Sequence, residues 1–325
     1  MKTPVDAIQE FRILTETAPA EYGGTSGATT TVVTRSGSNQ LHGTIYEFLR
    51  NDALDARNFF ASSVEPLKQN QFGATLGGPI RRNRDFIFGY YEGFRNRQGI
   101  TQSATVPSDA ERAGDFSGLR DPQTGRPAPL INFLSGQPFP NNRIPGQFLN
   151  ATALNLVQFY PHANAGPNLF VTTQTMRNSA DQGGMRYDHV FNERDRLFVH
   201  YAHSANANVN PLSVAGANVP GFPMGEDLST HSAAVSETHV FNGSTVNDLR
   251  LGFFRNGFDT DKPLNKTRPS DLGFHYGSTL SAAEGPPFFI VSGYASIGDP
   301  ITGPRDTTPI WFPTQTWGRT RPVNG

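Results

Sequence analysis

Seven segments of this 325-residue chain alternate in character with a period of two, and the connections between them are short and long in turn. No other feature restricts the fold as much, because a period of two places alternate side chains on opposite faces of an extended backbone. In 43–50, Ile45 and Glu47 alternate with Tyr46 and Phe48. In 68–77, Phe72, Ala74 and Leu76 oppose Gln71, Gly73 and Thr75. In 85–98, Phe86, Phe88, Tyr90, Glu92 and Phe94 oppose Ile87, Gly89, Tyr91 and Gly93. Segments 194–204 and 246–255 repeat the pattern with Leu197, Val199 and Tyr201, and with Leu249, Leu251 and Phe253; 185–191 and 229–241 carry it more weakly. Segments of roughly ten residues suffice for a tilted strand to cross a bilayer.

The connections run 51–67, 81–84, 99–180, 192–195, 206–228 and 242–244, then onward from about 259. The short ones, Arg81-Arg82-Asn83-Arg84, Asn192-Glu193-Arg194-Asp195 and Asn242-Gly243-Ser244, have turn composition. Tight turns on one rim and extended loops on the other mark an outer-membrane barrel, whereas a soluble sandwich has no reason to alternate them. Composition agrees: the chain holds 25 Phe and 33 Gly, and no run approaches the roughly 18 apolar residues of a spanning helix. A net charge of −1 gives no field that would attract nucleic acid. The absence of Cys excludes a disulfide scaffold, a thiolate metal site and a Cys nucleophile. The expected fold is all-β, a partial antiparallel transmembrane β-barrel of the outer-membrane type, with outer-membrane lipid around it.

The connection 99–180 is too long to be featureless. Ser108-Asp109-Ala110-Glu111 is a capping box behind Pro107 and predicts a short helix from about 108. Leu149, Ala153, Leu156 and Phe159 have helical spacing over 148–159, ending before Pro161. Between them runs a Pro-rich stretch, so the whole is expected to be an external loop folded on itself. The first forty residues differ again. A short strand over 7–15 leads to the glycine-rich bend Glu21-Tyr22-Gly23-Gly24-Thr25-Ser26-Gly27-Ala28, then to a β-branched strand at 29–34. No phosphate-loop spacing is present, and the bend reads as a tight turn. Met1-Lys2-Thr3-Pro4 opens without an apolar leader, and 317–325 closes no element, so the sequence is expected to be part of a longer polypeptide.

Ala20-Glu21-Tyr22-Gly23, Thr31-Val32-Val33-Thr34-Arg35-Ser36-Gly37-Ser38-Asn39-Gln40 and Leu41-His42-Gly43 resemble the end of the plug domain of TonB-dependent outer-membrane receptors, where it enters the first barrel strand. Several longer stretches are similar to the Oar-like subgroup. They are 47–60, Gln69-Asn70-Gln71-Phe72-Gly73 with Gly77-Gly78-Pro79-Ile80, Tyr91-Glu92-Gly93, Arg112-Ala113-Gly114-Asp115-Phe116-Ser117, Asn142-Arg143-Ile144-Pro145, and Arg186-Tyr187-Asp188-His189 with Asp195-Arg196-Leu197-Phe198. The resemblance implies that 1–40 is the C-terminal part of a plug domain and 41–325 the N-terminal portion of a barrel of about 22 strands. It implies a receptor for energy-coupled uptake of a small ligand, partnered by the TonB–ExbB–ExbD system, with the TonB box outside this sequence. Glu21, Tyr22, Gly23, Thr34, Arg35, Ser36, Gly37, His42 and Gly43 would form the structural motif at the plug end and barrel entry. Contacts of Arg35 or Arg12 with Glu47 or Glu92 would join plug to wall. A barrel used for adhesion or surface structure without transport is a second reading. A soluble all-β carbohydrate-binding or hydrolytic domain is a third; it would need a carboxylate pair across a cleft.

No G-x-S-x-G, H-E-x-x-H or Ser/His/Asp spacing occurs, so no enzyme activity, cofactor or catalytic residue is expected. His200 and His203 are three apart on a strand, face opposite sides and cannot chelate together; with His189 they are expected at lumen or rim positions, not at a metal. Asp181-Gln182-Gly183-Gly184 reads as a turn, and the pairs Asp52/Asp55 and Glu226/Asp227 as solvated loop charge. Tyr46, Phe48, Phe86, Phe88, Tyr90, Tyr91, Phe198 and Tyr201 are expected to include the lipid-facing and interfacial aromatics. Trp311 and Phe312 are expected in a loop.

Overall fold

The structure, a computed structural model, describes residues 4–14, 29–57, 64–121, 124–212, 218–260, 264–275, 285–299 and 310–320, the last for its backbone alone. A short hairpin, β1 (Ile8–Leu14) and β2 (Thr29–Thr34), precedes an eight-stranded antiparallel meander. The meander comprises β3 (His42–Asn51), β4 (Leu67–Arg81), β5 (Asp85–Thr105), β6 (Leu169–Val190), β7 (Asp195–Asn210), β8 (Met224–Asn242), β9 (Thr245–Thr260) and β10 (Ile310–Thr320). Each strand pairs with the next; β3 and β10 are the two edges, and the sheet is not closed.

All seven expected strands are present in the expected order, with short turns at 82–84, 191–194 and 243–244. Four expectations are corrected. Strands β5 and β6 run past the expected ends, so the long connection is 106–168 and not 99–180; Asp181–Gly184 lies inside β6, not in a turn. Glu226 and Asp227 belong to β8. Trp311 and Phe312 lie on β10, in register with Arg255 and Phe254, not in a loop. The extra length of β5 and β6 carries Thr, Gln and Ser on both faces, and the pairing is held by contacts such as Thr101 Oγ1 to Thr173 Oγ1 at 2.8 Å.

Register sorts the side chains into two contrasting faces. One row across the sheet reads Leu76, Gly89, Met185, Tyr201, Ala233, Phe253, and the next Ile87, Tyr187, Val199, Val235, Leu251. These side chains form an apolar outer face that is open: Ile45 is 91% exposed, Leu76 61% and Met185 54%. The inner face is polar and crowded. Thr44 and Thr75 share a hydrogen bond of 2.8 Å, and Tyr46 and Gln71 both donate to Glu92, at 2.7 and 3.0 Å. Of the eight aromatics expected to include the lipid belt, Tyr91 and Tyr201 are on the outer face. Tyr46, Phe48, Phe86, Phe88, Tyr90 and Phe198 are inside, where Tyr46 covers Gly73 and Tyr90 covers Gly184. An aromatic ring laid across a cross-strand glycine shields backbone that would otherwise be bare.

The described parts of three long connections, within 106–168, 211–223 and 264–299, pack over the loop end of the sheet as one cap with its own core. Val106, Tyr160, Val219, Phe222, Ala295 and Ile297 are buried together there. The predicted capping box forms at α1 (Asp109–Arg112), with Ser108 accepting from Glu111 N and Glu111 accepting from Ser108 N. The second predicted helix is α2 (Ala151–Val157), capped by Asn150. Arg112 ties them together: its guanidinium donates to the carbonyls of Val157, Tyr160 and Pro161 at 2.7–2.9 Å.

Candidate functional site

The inner wall of the sheet holds the N-terminal hairpin, and this junction is the best-built site in the molecule. Arg186 of β6 stands between Phe88 and His200 in register. Its Nε and Nη2 grip Asp188 at 2.7–3.1 Å, and its Nη1 donates to the carbonyl of Thr34 at 2.9 Å. The guanidinium lies 4.7 Å from the centre of the Phe198 ring. A guanidinium that is charge-paired, stacked and pointed at a backbone carbonyl is held in one geometry. Beside it Ala7 is fully buried against Phe88 and Tyr90. Arg35 closes the hairpin on itself, its N–H donating to Ala7 O at 2.9 Å and its Nε to Ile8 O at 3.4 Å.

The expected entry motif is gathered here in part. Thr34, Arg35, Ser36 and Gly37 run along the wall, with Ser36 and Gly37 bordering a cavity of about 360 Å³ shared with Arg186 and Phe198. A β-carbon on Gly37 would lie 2.5 Å from Ile87 O and 2.7 Å from Gly78 O, so only glycine lets the chain pass so close to the sheet. His42 stacks on Phe88, and Gly43 faces Thr75 O across β4. Asn39 and Asn83 exchange hydrogen bonds of 2.6 and 2.7 Å, pinning the entering chain to the 82–84 turn. Glu21, Tyr22 and Gly23 lie outside the described residues. The expected pairing of Arg35 or Arg12 with Glu47 or Glu92 is not what joins hairpin and wall: Glu92 takes Tyr46, Gln71 and Gln182, and Arg186 makes the contact.

Above the hairpin, the inner face opens into a polar chamber of about 400 Å³ bordered by Gln71, Glu92, Asn178, Gln182, Ser204 and Asn206. The register aligns amides across successive strands, Gln69, Asn96, Asn178 and Asn208. The Oδ1 atoms of Asn96, Asn178, Asn206 and Asn208 are buried without a hydrogen-bond partner. Such a wall suits a polar, hydrogen-bonding ligand or ordered water. In the cap, the separate motifs Arg112–Ser117 and Asn142–Pro145 come together: Asp115 bridges Arg143, and Ile144 N donates to Gly114 O at 2.9 Å. Hydrogen bonds from Ser117, reinforced by Arg143, hold the Asp115 carboxyl below the usual carboxylate range.

His200 and His203 do face opposite sides. His203 stacks on His231 at 4.4 Å on the outer face, while His200 lies on the inner face. Residue-by-residue reading passed over a tetrapeptide repeat, His-Val-Phe-Asn at 189–192 and 239–242. In both copies the histidine Nδ1 contacts an aspartate directly opposite on the neighbouring strand, Asp85 for His189 and Asp195 for His239. In both, the following phenylalanine sets its edge against the imidazole, at 4.2 and 4.3 Å. The asparagine accepts from the turn N–H groups.

The sequence profile of the outer membrane β-barrel domain matches residues 33–317. Over 92 residues the chain is 29% identical to the TonB-dependent transporter Oar of Myxococcus xanthus, a match that spans 26% of this chain and 9% of that protein's length. No solved structure matches. An antiparallel meander with an exposed apolar face, a polar inner wall and a profile match over most of its length place this chain in the outer membrane β-barrel domain family.

Proposed function

We propose that the chain is the plug end and the first strands of a TonB-dependent, Oar-like transporter of the outer membrane, which passes a small polar ligand without chemical conversion. The observation that carries the reading is the hairpin lodged against the inner wall through Arg186, Ala7 and Gly37. A barrel whose lumen is filled by a tethered N-terminal segment needs an energy source to clear it, and the partial likeness to a TonB-dependent transporter supplies the class of motor. Ligand would enter through the cap and meet the amide-lined chamber; TonB, driven by ExbB–ExbD, would displace the hairpin. The open edges β3 and β10 fit a larger barrel completed by further strands.

The test is electrical. Full-length protein reconstituted in a planar bilayer should be closed. Deleting residues 4–37 should give steady ion conductance, and Arg186→Ala intermittent openings. Equal conductance with and without the hairpin overturns the plug reading. Tenfold weaker ligand depletion in a strain lacking TonB separates transport from adhesion; depletion independent of TonB favours the adhesion barrel.

A further inference from the structure

The two His-Val-Phe-Asn copies are flanked by different residues at the position that shares the histidine's face. Two residues before the histidine, the first copy has Tyr187 and the second Glu237. Tyr187 donates its hydroxyl to Asp85 Oδ1 at 2.7 Å, so that copy is an aspartate satisfied by a phenol and an imidazole. In the second copy Asp195, Glu237 and His239 each offer one ligand atom, and these atoms lie within 4.8 Å of one another. Glu237 and His239 are two apart on β8 and share a face, while Asp195 is directly opposite His239 on β7. Two ligands from alternate positions of one strand and a third from its neighbour converge without any backbone distortion.

The surroundings of Glu237 point to a missing positive charge. Its register neighbours are Leu197 on one side and Leu249 on the other, one row from the wholly apolar Val199, Val235 and Leu251. Among the described residues it has no hydrogen bond or ion pair. At the rim of the apolar face, a carboxylate set between two leucines and engaged by no donor keeps its oxygens free to ligate a cation. We propose that Asp195, Glu237 and His239 bind a divalent first-row transition cation at the turn rim of the outer face. One imidazole nitrogen with two carboxylate oxygens suits Zn²⁺ and its neighbours, whereas Ca²⁺ takes oxygen ligands alone. All three residues are partly exposed, leaving positions for water or a lipid phosphate to complete the coordination.

The first copy is a control built into the same molecule. Full-length protein in detergent, stripped with a chelator, is titrated with Zn²⁺ by calorimetry and with Co²⁺ by visible absorption. Wild-type protein should take up the cation at this site. Glu237→Tyr, which copies the first repeat, and His239→Ala should each weaken that uptake at least tenfold and remove the Co²⁺ bands, while His189→Ala leaves both unchanged. Tyr187→Glu should add a second equivalent. Heat-modifiable migration confirms that each variant is folded; if His239→Ala is not, Glu237→Tyr decides. Absence of Zn²⁺ uptake by the wild type, uptake unaffected by Glu237→Tyr, or an equal loss in His189→Ala overturns the proposal.

Discussion

Tyr160 shows how one residue holds the cap together. Its ring is buried in the cap core and its hydroxyl donates to Ala295 O at 2.6 Å, joining the 106–168 connection to the 264–299 connection. Replacing it by Phe leaves that carbonyl without its partner and should cost about 1–3 kcal/mol. Faster amide exchange at residues 295–297, with strand amides unchanged, is the expected readout. Burial pushes the Tyr160 hydroxyl up to about 12, and burial with a hydrogen bond to Glu111 also raises Tyr294. A raised tyrosine favours the folded state while neutral, so its contribution is complete below a pH of about 10 and is lost as pH rises toward 12. The cap should therefore open in that alkaline window while the sheet persists, and Tyr160→Phe should remove part of the tyrosinate absorbance change. At this scale the sequence was legible where chemistry is local. The capping box at Ser108 and Glu111 needs only its four residues, whereas Arg112 meets carbonyls of residues 157–161 that no spacing rule connects to it. Asp195, Glu237 and His239 escaped notice for the same reason: Asp195 lies 44 residues from His239 and they meet only through strand register.

Strands were readable wherever two unlike environments flank them. In β7 and β9 lipid on one side and a polar lumen on the other enforce alternation, and the expected segments start within one residue of the observed strands. Beyond the membrane that contrast ends, so the outer parts of β5 and β6 carry no alternation and were read as loop. Strand β10 was hidden for another reason: Pro313 and Gly318 weaken its pattern. The glycines inside strands are legible only once partners are known. A β-carbon at Gly184 would fall 2.6 Å from the Tyr90 hydroxyl and 2.7–2.8 Å from its ring. Gly184→Val should thus push the Tyr90 ring off the wall and out of its packing with Phe88 and Ala7, at a cost of about 1–3 kcal/mol. Heat-modifiable migration of full-length protein should show a lower transition temperature, and Gly243→Val, where a β-carbon meets nothing within 4 Å, should not.

For the whole molecule, the decisive fact is that eight strands lie side by side without returning to the first. Each unpaired backbone group at an edge costs several kcal/mol in hydrocarbon. Residues 1–325 expressed alone should fail to give a heat-modifiable, protease-protected species in outer membranes, whereas the full-length protein should give one. The parity of connections was visible in the sequence because turn chemistry is local; the count of strands needed for closure was not, since it is a property of the ring and not of any segment. Parity has a practical corollary. The hairpin enters beside the 82–84 turn through Asn39 and Asn83, so every brief turn shares its rim and every sizeable connection shares the other. Phe133 and Leu134 belong to the 106–168 connection and are 90% and 72% exposed. An epitope tag spliced between them should be stained by antibody on intact cells, and the same tag at Gly243 only after the envelope is broken. To an antibody or a phage outside, this protein has a single visible end.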